Sequence, residues 1–318
     1  MPPRIGGKVK KSLFCSMIKP TLLKFLYLIA ILTTTALCAR TQPVIRLIPP
    51  PATGKEIRQA HGPHLAIYDP TAASRHKLVV MIPGTGGSAS DSRSFDSCFA
   101  TMGFHVISLD YLNNVISTTC TASADSSCFD NFRQEIVFGS PVSSVVEVDS
   151  INSITGRLSK LLVYLAKNDP SGGWSAFLTG DQPAWEKIIT AGHSQGAGHA
   201  AYLGKKFRLA GVLMFSGPQD YREPFHSPAV WQSRKGLTPP SRYYAFLHLK
   251  DPFHYSYQAA NVAALTERPA TDTTMVFSGK PVKSDRHILV NNVDTNNPHG
   301  STVQTEFEAV WRYMVERL

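Results

Sequence analysis

Several things are missing from this 318-residue chain, and each absence removes a class of function. No strand-like segment is followed by Gly-x-Gly-x-x-Gly or by a Gly-x-x-x-x-Gly-Lys-Ser/Thr loop, so dinucleotide and nucleoside-triphosphate binding lose their main sequence support. The five cysteines form no Cys-x-x-Cys pair and no Cys/His pattern, which argues against a structural zinc site and against dithiol redox chemistry. No Lys/Arg stripe is interleaved with aromatics, so a nucleic-acid surface is not expected. No apolar run reaches the roughly 20 residues that span a bilayer. Internal repeats are absent as well.

The formal charge of +9 is unevenly placed. Residues 1–39 carry six basic side chains (Arg4, Lys8, Lys10, Lys11, Lys19 and Lys24) and no acid, which leaves the remainder at +3. A basic stretch ending at Lys24, an apolar run from Phe25 to Leu32 and a small-residue region, Ala36-Leu37-Cys38-Ala39, have the layout of a secretory signal. The expected location is therefore secreted or exported. An uncleaved membrane anchor is the alternative, because the basic region is long. Residues 40–60, Pro-rich and polar, are expected to form an extended lead-in, and residues 61–318 the folded domain.

Export puts the remaining cysteines where disulfides persist. Cys120 and Cys128 flank a short Ser/Ala/Asp loop and are expected to pair; Cys98, in an amphipathic stretch, reads as a buried free thiol.

From residue 64 onward, strand and helix signals alternate. Continuous apolar runs, such as Leu78-Val79-Val80-Met81-Ile82, suit strands buried on both faces. Ile151, Ile154, Leu158, Leu161, Leu162 and Leu165 recur at helical spacing. The pattern predicts an α/β fold with a mostly parallel central sheet and helices on both faces. The Ser-rich stretch 113–146 is predicted as a long connection at the rim of a site, with a lid as one possible use.

The chemistry centres on Gly192-His193-Ser194-Gln195-Gly196. Gly-x-Ser-x-Gly alone is weak, since two glycines around a serine also mark ordinary turns. Its context is stronger: an apolar strand, Ile188 to Ala191, leads in, and a helix of small residues, Ala197 to Leu203, leads out. A sharp strand-to-helix turn of that kind exposes the serine and needs small residues two before and two after it.

At this point the chain resembles the α/β-hydrolase family, including bacterial secreted members that share the run Gly-His-Ser-Gln-Gly-x-Gly-His-Ala. The resemblance covers the order of elements over residues 60–318 and is specific at a few motifs. It implies a triad in chain order Ser, acid, His. Asp251, after the strand-like Tyr243 to Leu249 and before Pro252-Phe253, is the expected acid, although an Asp there also suits a helix N-cap. Asp220, after the preceding strand, is the alternative acid. His299, in Asn296-Asn297-Pro298-His299-Gly300, is the expected base. His193, His199 and His287 are expected to be structural, with the His193 ring packed under the sheet. The loop Pro83-Gly84-Thr85-Gly86-Gly87 is similar to one in a yeast lipase whose threonine hydroxyl helps hold an oxyanion. By that likeness Thr85 and Gln195 form the oxyanion hole.

The expected function is cleavage of an ester-type bond in a small-molecule or lipid-like acyl substrate, through an acyl-enzyme on Ser194 and without metal or organic cofactor. Phe253, Tyr255 and Tyr257 suit an apolar acyl pocket or, equally, the core. The competing readings are a catalytically silent binding protein of the same fold, and an acyltransferase or thioesterase using the same serine.

Overall fold

The computed structural model describes residues 42–318. The expected signal segment lies outside them. A nine-stranded sheet organises the chain. Its strands are β1 (Val44–Ile48), β2 (His64–Tyr68), β3 (Leu78–Ile82), β4 (His105–Ser108), β5 (Ile188–His193), β6 (Gly211–Phe215), β7 (Tyr243–His248), β8 (Thr273–Met275) and β9 (Ile288–Asn291). Their order is β1-β2-β4-β3-β5-β6-β7-β9-β8. β2 runs antiparallel to both neighbours, and every pairing from β4 onward is parallel. The α/β-hydrolase architecture expected from the sequence is the one observed.

Why these runs become strands is visible in their two-sided burial. Along β3, Leu78, Val80 and Ile82 point into one apolar cluster, while Val79 and Met81 point into the other. The first face is covered by α2 (Cys128–Phe138), α3 (Ile154–Asn168), α4 (Gln195–Lys206) and α5 (Tyr255–Thr266). The second is covered by α1 (Arg93–Thr101) and α6 (Glu308–Glu316), with Phe95, Phe99, Trp311 and Met314 filling the gap. A strand with water on neither side has no reason to alternate polar and apolar residues.

Three expectations change. The segment read as an extended lead-in contributes β1, which pairs antiparallel with β2; its alternation is weak because Arg46 and Leu47 are exposed on an edge strand. The stretch 113–146 is not one long loop, because α2 occupies its middle. That helix was hidden by a polar start, Cys-Phe-Asp-Asn, and by Arg133 in its apolar face. β8 was missed altogether; three residues with threonines at two of them carry almost no periodic signal.

The Cys120–Cys128 disulfide is present, closing the loop that leads into α2. Cys98 is a buried free thiol pushed up to about 12 by burial, which keeps it protonated and inert. Among the described residues, no helix is long and apolar enough to cross a membrane.

Candidate active site

Parallel strands that all end on one side of the sheet deliver their following loops to one place. At that place lies a cavity of about 550 Å³ whose lining includes Thr85, His193, Ser194, Phe253 and His299.

Ser194 sits between β5 and α4 with φ 57° and ψ −124°, a backbone conformation that side chains seldom adopt. Such a conformation costs on the order of 1–3 kcal/mol and persists only where the surroundings impose it. Here they do: the Ser194 N–H donates to the Phe215 carbonyl at 2.8 Å. A Cβ on Gly192 would strike the Gly196 carbonyl, and one on Gly196 would strike the Ile82 carbonyl. The two glycines are therefore required by the close crossing of β5, α4 and β3.

His299 and Asp251 are brought together. His299 Nδ1 lies 2.8 Å from Asp251 Oδ2. A carboxylate only accepts, so Nδ1 carries the proton and Nε2 is left as the free base. Asp251 does not cap α5, whose N-cap is His254. Its Oδ1 accepts from the Phe253 N–H at 2.8 Å, which fixes the carboxylate while Oδ2 serves His299. Burial alone would raise the Asp251 acid; the His299 hydrogen bond and charge and the Phe253 N–H outweigh it and hold the group below its ordinary 3.8.

His299 is also held from behind. Its carbonyl accepts from Ser216 Oγ at 2.6 Å and from His193 Nε2 at 3.0 Å. His193 is therefore not tucked under the sheet as expected. It lines the cavity, with its ring centroid 4.9 Å from that of His299. Burial, and secondarily the charge of His299, lowers it from 6.5 to about 4, so it stays neutral and donates through Nε2. His199 and His287 are structural: His199 is buried against Tyr111 and Phe132, and His287 stacks on Tyr244.

Asp220, the alternative acid, is elsewhere. It is fully buried beneath α4, where Arg133 Nε donates to it at 3.0 Å and Trp231 Nε1 also at 3.0 Å. The same guanidinium donates to the Gln195 carbonyl at 2.8 Å. Arg133 thus ties α2 to the start of α4.

Gln195 opens α4, so its N–H has no intrahelical partner. Its side-chain oxygen accepts from Thr85 Oγ1 and from the Ser117 N–H, both at 2.9 Å. The Thr85 hydroxyl is thus engaged with Gln195 in the resting site. The loop that carries Thr85 is shaped by Tyr111 Oη on the Pro83 carbonyl and Asn113 Nδ2 on the Gly84 and Gly87 carbonyls. Phe253 lines the cavity, its ring 4.6 Å from His299. Tyr257 instead stacks on Tyr221.

Gln219, which no sequence motif marks, donates from Nε2 to Ser194 Oγ at 3.3 Å. It follows a cis Gly217–Pro218 peptide. No motif marks the Arg133 and Ser216 contacts either. Arg133 among Phe129, Phe132, Ile136 and Val137 was the one available signal, since a buried cation demands a buried anion. Among the described residues, no cluster of His, Cys, Asp or Glu is arranged to hold a metal ion.

Fold and site together define a protein of α/β-hydrolase architecture with a serine at its strand-to-helix turn. No family model matches the chain, and no curated protein matches it. Among solved structures it is similar to a bacterial heroin esterase, at 13% identity over 94% of this chain and 90% of that one, with a TM-score of 0.44. What Ser194, Asp251 and His299 do must therefore be read from their own surroundings.

Proposed function

We propose that the protein is a serine hydrolase that cleaves an ester-type bond through an acyl-enzyme on Ser194. The reading is carried by one observation: the His299–Asp251 hydrogen bond at 2.8 Å, on the rim of the cavity that also contains the strained Ser194. Fixing Nδ1 as the donor leaves Nε2 to take a proton.

In this mechanism the Ser194 O–H proton passes to His299 Nε2 as Oγ bonds to the substrate carbonyl carbon. The carbonyl π pair moves onto its oxygen. That oxyanion is held by the Gln195 N–H, at the positive end of α4, and by Thr85. The Thr85 hydroxyl exchanges its Gln195 Oε1 acceptor for the oxyanion as charge builds. Collapse expels the alcohol, which takes the proton from His299. A water then loses its proton to His299 and attacks the acyl carbon; the Oγ–C bond breaks, Oγ keeps the electron pair and takes the proton back from His299, and the acid is released. Asp251 keeps the imidazole in the required tautomer throughout. No step calls for a metal or an organic cofactor.

The lining is mixed, with Met81, Ile116, Phe253 and Val303 beside Thr85, Asn297 and Gln304. That suits a small acyl substrate with one polar flank. The disulfide supports an exported protein, since such bonds persist in oxidising compartments.

A fluorophosphonate probe tests the reading. Labelling of the native protein that disappears in Ser194→Ala is the expected result. An unlabelled native protein, inert toward a chain-length series of p-nitrophenyl esters, would overturn it in favour of a binding role.

A further inference from the structure

We infer that Gln219 is a further catalytic residue, whose side-chain N–H donates to Ser194 Oγ and stabilises the negative charge that this oxygen carries in the acyl-transfer steps. The inference rests on the reading of Ser194 as nucleophile.

The nitrogen end of the Gln219 amide faces the serine. Gln219 Nε2 lies 2.8 Å from the Ser216 carbonyl oxygen and 3.3 Å from Ser194 Oγ. A carbonyl oxygen only accepts, so the atom facing it must be the nitrogen; turning the amide over would set two acceptors against each other. The orientation is kept although Gln219 Oε1 is buried without a partner among the described residues.

The consequence for Ser194 follows from the hydroxyl's own inventory of one proton and two lone pairs. An N–H arriving at Oγ occupies a lone pair. The Ser194 proton is then free to leave toward His299 Nε2. The bond is long at rest, and hydrogen bonds to charged oxygens are shorter and stronger than neutral ones. It therefore gains most when Oγ is most negative. That happens twice: as Oγ loses its proton during attack, and again in deacylation, when the Oγ–C bond breaks and Oγ takes the electron pair before the proton returns from His299. The Gln195 N–H and Thr85 serve the carbonyl oxygen; Gln219 serves the serine oxygen.

Gln219→Met keeps length and apolar bulk but removes the N–H. It is expected to lower kcat about 10- to 100-fold on a p-nitrophenyl ester, the scale of one hydrogen bond to a charged group, with KM within about twofold. Its rate of fluorophosphonate labelling should fall in parallel. Gln219→Glu is nearly isosteric and gives a readout that packing alone does not move. As its carboxyl ionises, the donor becomes a repelling anion. The kcat of this variant should fall as pH rises, across a range where the native kcat rises or is flat. Unchanged kcat and labelling rate in Gln219→Met, or a Gln219→Glu pH profile that superimposes on the native one, overturns the inference; either folded variant suffices. If the native protein is not labelled at Ser194, it is the hydrolase reading that has failed.

Discussion

Two buried aspartates follow neighbouring parallel strands: Asp220 after β6 and Asp251 after β7. By position either is a plausible acid. Their partners separate them. Asp220 faces Arg133, both side chains wholly inaccessible to water, and Arg133 anchors the Gln195 carbonyl at the start of α4. Asp251 faces His299, whose side chain keeps 15% of its exposure on the cavity side. A guanidinium holds its charge and can only anchor. An imidazole can gain and lose a proton at neutral pH. Burial and topological position are shared by the two carboxylates; the partner, a guanidinium for one and an imidazole for the other, is what differs.

The largest expected effect lies at Ser194. Ser194→Ala is expected to reduce kcat by about 10⁴- to 10⁶-fold while leaving the melting temperature near native or above it, because a strained backbone position loses only a hydroxyl. Residual turnover within tenfold of native, measured on p-nitrophenyl acetate, would put the nucleophile elsewhere.

Next come the two aspartates, each changed to asparagine. Asp251→Asn should cost about 10⁴-fold in kcat with little change in fold. The amide would donate to Nδ1, moving the ring proton to Nε2, where it blocks acceptance from Ser194. Asp220→Asn should do the reverse. It leaves a buried guanidinium uncompensated and should cost about 3–5 kcal/mol of stability in urea unfolding, with kcat of the surviving folded fraction far closer to native. If the two variants exchange phenotypes, the roles given to the partners are wrong.

Much of this arrangement of residues was legible in advance. The strand, sharp turn and small-residue helix around Ser194 are local features, each fixed by residues within about ten positions. Asp251 and His299 lie 48 residues apart, yet each lies in the connection that follows a strand, in the order the family resemblance implies. The edge strands β1 and β8 were not legible, because an edge needs no continuous apolar run. Nor was the Gln219–Ser194 contact: glutamine carries no periodicity, and the bond depends on where a loop turns back.

Acid should act on one side of the comparison more than the other. His193, which holds the His299 carbonyl, is lowered from 6.5 to about 4 by burial. The unfolded chain takes up this proton near pH 6.5 and the folded one only near pH 4. Its contribution to stability is therefore complete above pH 6.5 and is lost as pH falls toward 4, about 3 kcal/mol in total. Asp251 is held below 3.8, so its contribution is present above that value and disappears only at lower pH, as the folded group protonates. Denaturant unfolding of native protein and of His193→Gln at pH 7 and pH 4.5 separates the two. The glutamine keeps a donor but does not titrate, so the variant should lose less stability between those values. Equal losses would count against a neutral His193.

The smallest effect tests whether the architectural side is one unit. Cys120–Cys128 closes a loop of nine residues directly before α2, the helix that carries Arg133. Removing it with a Cys120→Ser, Cys128→Ser double variant should cost about 2–3 kcal/mol, on the loop-entropy scale. The same segment supplies the Ser117 N–H to Gln195 Oε1. Loosening it therefore releases both α2 and the Gln195 side chain. The loss should be non-additive with Asp220→Asn, by at least about 0.5 kcal/mol in a double-mutant cycle, because both changes weaken one network. With Asp251→Asn, which lies on the other side of Ser194, the losses should add. Additivity in both cycles would mean that the disulfide stabilises its own loop alone, and that Arg133 holds Gln195 without its help.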